Sequence, residues 1–282
     1  MKQKIIYQSS LPRAGSTLLQ NILGQNPQIL ATPTSFMTDL VDGAKLGHNS
    51  SMSDSSTSND WDKPARFLHS KEQLYAFIRG GLREWSKELT DRKYILDKNR
   101  SWGGKYTLLE KVFNEKPKIL YMVRDLRAVC ASMEKKFRAN PDKMTPEVDL
   151  QKMKGLTTFN RVGQWVQSHP VGFALQLLEQ AILDETASNF LFIKYEDMCI
   201  NPKPIFKSIY EYLEIDYFEH DFDNIEQITY EDDRMYGIYG DHTIRNTLDK
   251  KPDDFRQILG ENVNKKLFED FNWFFKAFNY SY

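Results

Sequence analysis

The sequence predicts an α/β fold: a P-loop-like, doubly wound parallel sheet flanked by helices. Three observations predict it. Short β-rich runs alternate with segments of helical period, the pattern of strands joined by helical crossovers. The first run passes through a proline, a cation and a glycine straight into a helical start. The residues with chemical reach fall just after the runs, where open parallel sheets bind ligands.

The strands are read at residues 4–8, 29–31, 94–97, 118–123 and 190–194. Between them, Leu74, Phe77, Ile78, Leu82, Trp85 and Leu89 repeat at helical spacing. So do Leu126, Val129, Met133 and Phe137, and later Ile205, Ile209, Tyr212 and Leu213. A chain of 282 residues can bury one large core, and 1–282 is read as a single domain. Residues 47–60 are serine-rich and nearly free of apolar side chains, so a mobile loop is expected at about 45–62, as a lid or an insertion. A helical segment is expected at about 250–282. The aromatics of 268–282 pack in the core or form an interface, which leaves a homodimer open.

With 38 Lys and Arg against 39 Asp and Glu, the net charge is −1. No global field recruits nucleic acid, and any basic site must be local. No apolar run has the length of a membrane span. Met1-Lys2-Gln3-Lys4 leads into a strand rather than a signal peptide, so a cytoplasmic setting is expected. Cys130 and Cys199 each sit in an apolar pattern and read as buried thiols.

Three motifs carry chemistry. In Pro12-Arg13-Ala14-Gly15-Ser16-Thr17, the amides of a helix start and its dipole suit an anion. Position 16 is serine where a nucleotide-binding loop has its lysine. Arg13 supplies the cation instead and can hold two oxygens of a phosphate or sulfate. The plainer alternative is an N-capped helix, which needs one hydroxyl and no arginine. The second motif runs Val123-Arg124-Asp125-Leu126-Arg127 and reaches Ser132 about two helical turns on. Arg124 and Ser132 suit a second phosphate; alternatively Asp125 caps the helix and Arg124 and Arg127 are solvated. The third is Tyr195-Glu196-Asp197-Met198 with Asn201-Pro202, whose tyrosine either stacks on a base or packs in the core.

Together, in order and spacing, these motifs resemble the sulfotransferases that use 3′-phosphoadenosine 5′-phosphosulfate (PAPS). Tyrosylprotein sulfotransferases and their bacterial and viral relatives are the nearest in likeness, over residues 5 to 215. The resemblance implies a PAPS donor, adenosine 3′,5′-bisphosphate (PAP) as product, a hydroxyl acceptor and no metal. It implies that Arg13, Ala14, Gly15, Ser16 and Thr17 grip the 5′-phosphosulfate, and that Arg124 and Ser132 read the 3′-phosphate. Tyr195 matches a tyrosine near the adenine. Asp97-Lys98-Asn99-Arg100 resembles a family segment whose lysine lies beside the transferred group, making Lys98 the transition-state cation, with Arg13 beside it stabilising charge on the bridging and equatorial oxygens.

The chain departs from the pattern at the general base. Protein-tyrosine sulfotransferases place a glutamate shortly after the second strand, and residues 31–39 here contain none. The candidates are Asp39 and His242, of which a histidine is better suited near neutral pH. Arg245 either closes over the donor's phosphate or pairs with a surface carboxylate. Residues 47–60 and 137–170 are expected to shape the acceptor pocket. The competing readings are a P-loop kinase, with Asp125 on magnesium, and a catalytically inactive nucleotide-binding module.

Overall fold

All five β-rich runs enter one parallel sheet in the order β2-β3-β1-β4-β5. The computed structural model describes residues 3–55, 70–140, 153–248 and 254–282. The strands are β1 (Lys4–Ser10), β2 (Ile29–Thr34), β3 (Tyr94–Lys98), β4 (Ile119–Val123) and β5 (Leu191–Lys194). β1 lies centrally, with Gln8 opposite Lys98 on one side and Ser10 opposite Met122 on the other. Every residue of β3 and β4 is buried, as expected of strands covered on both faces.

The helices relevant to the site are α1 (Ser16–Leu23), α2 (Met37–Ser55), α3 (Lys71–Leu89), α4 (Tyr106–Phe113) and α5 (Leu126–Ala139). α3 starts on a capping box formed by Ser70 and Gln73. It buries Ile78 and Leu82 and leaves Phe77 exposed. α5 starts on Asp125, whose side chain accepts from the Arg127 amide. The chain runs from β1 out to β2 and back through β3, then crosses to β4. The loops after β1 and β4 therefore flank a crevice where the strand order reverses, the usual ligand position in such sheets.

Two sequence expectations need correction. β2 runs three residues beyond its expected end. It is an edge strand, and its register shifts between Ala31 and Thr34, so Pro33 is tolerated where a central strand would lose a ladder bond. The mobile loop expected at 45–62 is helix as far as Ser55, the remainder lying outside the described residues. Met37 and Val41 are buried and pin the first turns of α2, and extending a nucleated helix costs far less than starting one.

The C-terminal stretch forms the helices Phe255–Leu259, Glu261–Asp270 and Asn272–Ala277. Phe274 and Phe275 are buried there. Each such ring contributes about 1.5–3 kcal/mol over an exposed one. Arg127 is buried rather than solvated: it pairs with Asp125 at 2.6 Å and its guanidinium lies over Phe255 and Phe275. Cys130 and Cys199 are free and buried. No helix among the described residues is long and apolar enough to cross a membrane.

Candidate active site

The turn after β1 is built for close approach. Arg13 and Gly15 both take left-handed backbone conformations, with φ of 58° and 86°. A Cβ at position 15 would stand 2.5 Å from Cδ2 of Tyr195, so only glycine fits under that ring. Ala14 turns its side chain into the core and offers only backbone. The first-turn amides of α1 follow, aimed off the end of the sheet with the positive end of the helix dipole.

Arg13 does not lie along its own loop. It crosses to α5, where Nε donates to Ser132 Oγ at 3.2 Å, and an Nη donates to the Asp241 carbonyl at 2.8 Å. The Asp241 carboxylate is 3.6 Å from Arg13 and also pairs with Lys136. Burial lowers the Arg13 pKa, the Asp241 charge opposing it and the nearby Arg124 adding to it. Arg124 donates to the Arg13 carbonyl at 3.0 Å, and its guanidinium lies 4.4 Å from the Tyr195 ring centroid. Burial pushes the Tyr195 phenol up to about 12, so it stays neutral. The first two motifs thus meet as one cationic wall.

Lys98 closes β3, opposite both Gln8 and Thr34. Its Nζ donates to Thr17 Oγ1 at 3.0 Å and to Glu231 Oε1 at 2.6 Å. The side chains of Lys98 and Glu231 are only 8% and 4% exposed. Burial lowers the lysine's pKa against the pull of Glu231. Glu231 also accepts from the amide and hydroxyl of Thr34, each at 2.9 Å, and from the Tyr236 hydroxyl at 3.1 Å. Burial alone would raise its pKa, but the charge of Lys98 and these hydrogen bonds outweigh that, and the net shift is downward. The neighbouring Asp97 is different. Burial raises it to about 6, against hydrogen bonds from Ser35 and Trp102.

The late segment that brings Glu231 is tied down from α1. Asn21 Oδ1 accepts from the amides of Ile228 and Thr229 at 2.5 and 3.0 Å, and Asn21 donates to the Thr17 carbonyl at 2.7 Å. Further along, His242 Nδ1 meets Asp233 Oδ1 at 2.5 Å, and its ring lies 4.7 Å from that of Tyr236. The Gln227 side chain holds this stretch through the His242 carbonyl and the Ile244 amide.

Of the residues singled out by sequence, Arg13, Gly15, Ser16, Thr17, Lys98, Arg124, Ser132, Tyr195, His242 and Arg245 line one cleft of about 1330 Å³. That exceeds the roughly 300–1,000 Å³ of a single-ligand pocket, leaving room for two substrates. Asp39 also reaches the cleft, exposed on the first turn of α2. Arg245 is exposed at the rim and forms no ion pair among the described residues. Of the 137–170 region, Met153, Gln164, Trp165, Ser168, His169 and Pro170 line the cleft, and residues 141–152 lie outside the described residues. The 47–60 stretch contributes no lining residue among those described. Sequence reading missed Glu231, Asn21 and Asp233. Glu231 and Asp233 stand in an acidic run, Glu231-Asp232-Asp233, that reads as solvated surface. Among the described residues no group of three His, Cys, Asp or Glu is placed to hold a metal ion.

A strand-end cleft walled by arginines, with a glycine turn opening a helix, is the architecture of sulfotransferases, and this chain belongs to that family. The family description "Sulfotransferase family" matches residues 6–219. The fold is similar to that of the "Sulfotransferase Domain from the Curacin Biosynthetic Pathway", with a TM-score of 0.52 over 96% of this chain and 98% of that one, at 16% identity. The "Sulfotransferase Domain from the Synechococcus PCC 7002 Olefin Synthase" gives 0.48 over 96% of each chain at 19% identity. Sulfotransferase STF9 from Mycobacterium avium gives 0.41 over 77% of this chain and 65% of that one at 14% identity. A search of curated proteins finds no match.

Proposed function

We propose that this sulfotransferase moves a sulfuryl group from PAPS to a hydroxyl acceptor by in-line displacement. The observation that carries the reading is the placement of Lys98 Nζ, 3.0 Å from Thr17 Oγ1 at the amide-rich start of α1. A phosphosulfate on those amides has its reacting end beside a buried cation. Arg13, which the resemblance gave to the 5′-phosphosulfate, reaches Ser132 on α5 instead, and with Arg124 and Ser132 it supplies a second anion site in the same cleft, for the 3′-phosphate.

In the reaction the acceptor oxygen bonds to sulfur as the bond from sulfur to the bridging phosphate oxygen breaks. By analogy with phosphoryl transfer the transition state is loose, so positioning and cations carry the rate. Lys98 meets the charge that grows on the departing oxygen. The acceptor proton goes to His242, which lines the cleft and whose Nδ1 is engaged by Asp233, so that Nε2 serves as the base. Glu231 is the poorer base, because it already accepts four hydrogen bonds and its pKa is held down. A kinase reading loses its magnesium ligand, since Asp125 is committed to Arg127 and the α5 cap.

Thermal stabilisation tests the donor. PAP is expected to raise the melting temperature strongly, and ATP with magnesium only slightly, because a ligand that binds only the folded state stabilises it according to concentration over Kd. Arg124→Ala should weaken PAP by about tenfold or more, the scale of a lost charge-assisted hydrogen bond. A larger shift with ATP would overturn the donor assignment. PAP binding without turnover across a broad hydroxyl panel would make the chain a nucleotide-binding module.

A further inference from the structure

The cations of the cleft differ in how they are balanced. Lys98 has Glu231, Arg13 and Lys136 share Asp241, and Lys135 has Asp254. Two arginines that face the cleft short of its rim have no carboxylate partner among the described residues: Arg124 and Arg100. Arg124 follows β4, at the end where the donor's 3′-phosphate would sit. Arg100 follows β3, two strands away, in the first position of a 3₁₀ turn (Arg100–Lys105) capped by Asn99.

Arg100 has no hydrogen bond or ion pair from its guanidinium among the described residues. Its Nε is buried without a hydrogen-bond partner. The groups that face it are two phenols, Tyr121 and Tyr236, and the like charge of Lys98. Both phenols are pushed up by burial and stay neutral. A guanidinium does not escape such a place by losing its proton, and a half-buried charge without a counter-ion is costly. No carboxylate among the described residues balances that charge, which makes the residue's natural counter-ion a ligand. The side of the cleft it occupies is the acceptor's. Tyr236 packs on the His242 ring, and the same cleft is lined by Phe36 and Met235, 59% and 60% accessible, and by Phe173.

We propose that Arg100 binds the acceptor, and that the acceptor is an acidic hydroxyl compound. Its oxyanion, a carboxylate or a phosphate, pairs with Arg100. Its hydroxyl reaches Lys98 and His242, and its apolar body lies against Phe36, Phe173 and Met235. The inference rests on the sulfotransferase reading of this cleft and narrows its acceptor class.

The test uses PAP-saturated protein and hydroxy acids paired with their primary amides, 4-hydroxyphenylacetate and 10-hydroxydecanoate among them. Calorimetry is expected to give at least about tenfold tighter binding for an acid than for its amide, the scale of a charge-assisted hydrogen bond. Arg100→Gln should collapse that ratio to about one, and Arg100→Lys should restore part of it. The PAP melting shift, read on the same samples, reports that each variant is folded. Tighter binding of the corresponding alkyl phosphate would assign phosphate as the oxyanion. Equal binding of acid and amide, or no binding by any acid, overturns the proposal. A preference that survives Arg100→Gln overturns the assignment to this residue. Failure of the wild-type protein to bind PAP would instead overturn the donor reading on which the proposal rests.

Discussion

The cations of the cleft and the carboxylates that stand among them come from different stretches of the chain. Lys98 ends β3, and Arg13 and Arg124 stand three residues and one residue past the ends of β1 and β4, so strand pairing sets the points from which they depart. Glu231, Asp233 and Asp241 come from a late stretch that joins no strand and makes only a short 3₁₀ turn, Asp233–Tyr239. The sheet therefore fixes where positive charge sits. The late stretch, held by Asn21 and Gln227, decides how much of that charge is already balanced and brings the histidine. In the proposed reaction each half is incomplete without the other.

Breaking the sheet half should have the largest effect. Lys98→Ala is expected to lower sulfuryl-transfer turnover by at least about a hundredfold, the scale of a lost transition-state charge stabiliser. The same change strands the Glu231 carboxylate, so its melting temperature must be read alongside; near-normal turnover in a folded variant would remove Lys98 from the chemistry. Breaking the tether between the halves comes next. Asn21→Ala leaves the Ile228 and Thr229 amides without their acceptor. A loss of roughly 2 kcal/mol is expected, seen as a fall of several degrees in melting temperature. An unchanged melting temperature would mean that the late stretch is held by other contacts. The smallest effect has the opposite sign. Asp241→Asn removes a half-exposed competitor for Arg13 and Lys136, and should tighten PAP by up to about fivefold, the upper range for such a pair. Weaker PAP binding would mean that Asp241 helps to form the anion site.

The same division explains what the sequence made legible. The cations were readable because each lies at a strand's carboxyl end or within three residues of it, and strand, turn and helix are local patterns. Gly15 and Ser132 came with them. Glu231 was not readable. Its meaning lies in Thr34 and Lys98, which are 197 and 133 positions away, and its neighbours Asp232 and Asp233 give the run the look of a solvated face. His242 was noticed by its type, but its orienting partner Asp233 was not. The fold lost accuracy at its margins: β2 ran past a proline because an edge strand permits it, and α2 kept its helix through serines because its buried first turns had already nucleated it. The family match ends at residue 219, before Glu231, Asp233 and His242. Two chains with equal family matches can therefore differ in the groups facing the acceptor.

Arg13 holds its guanidinium across the cleft from a left-handed backbone, with φ at 58°. A non-glycine residue carries a steric penalty there, of order 1 kcal/mol, that glycine would relieve. Selection at position 13 thus pulls in two directions. A screen for heat resistance would favour Arg13→Gly, and a screen for donor affinity would reject it. A population of variants recovered for stability alone should drift away from arginine at this position while keeping glycine at 15, where the Tyr195 ring admits nothing larger.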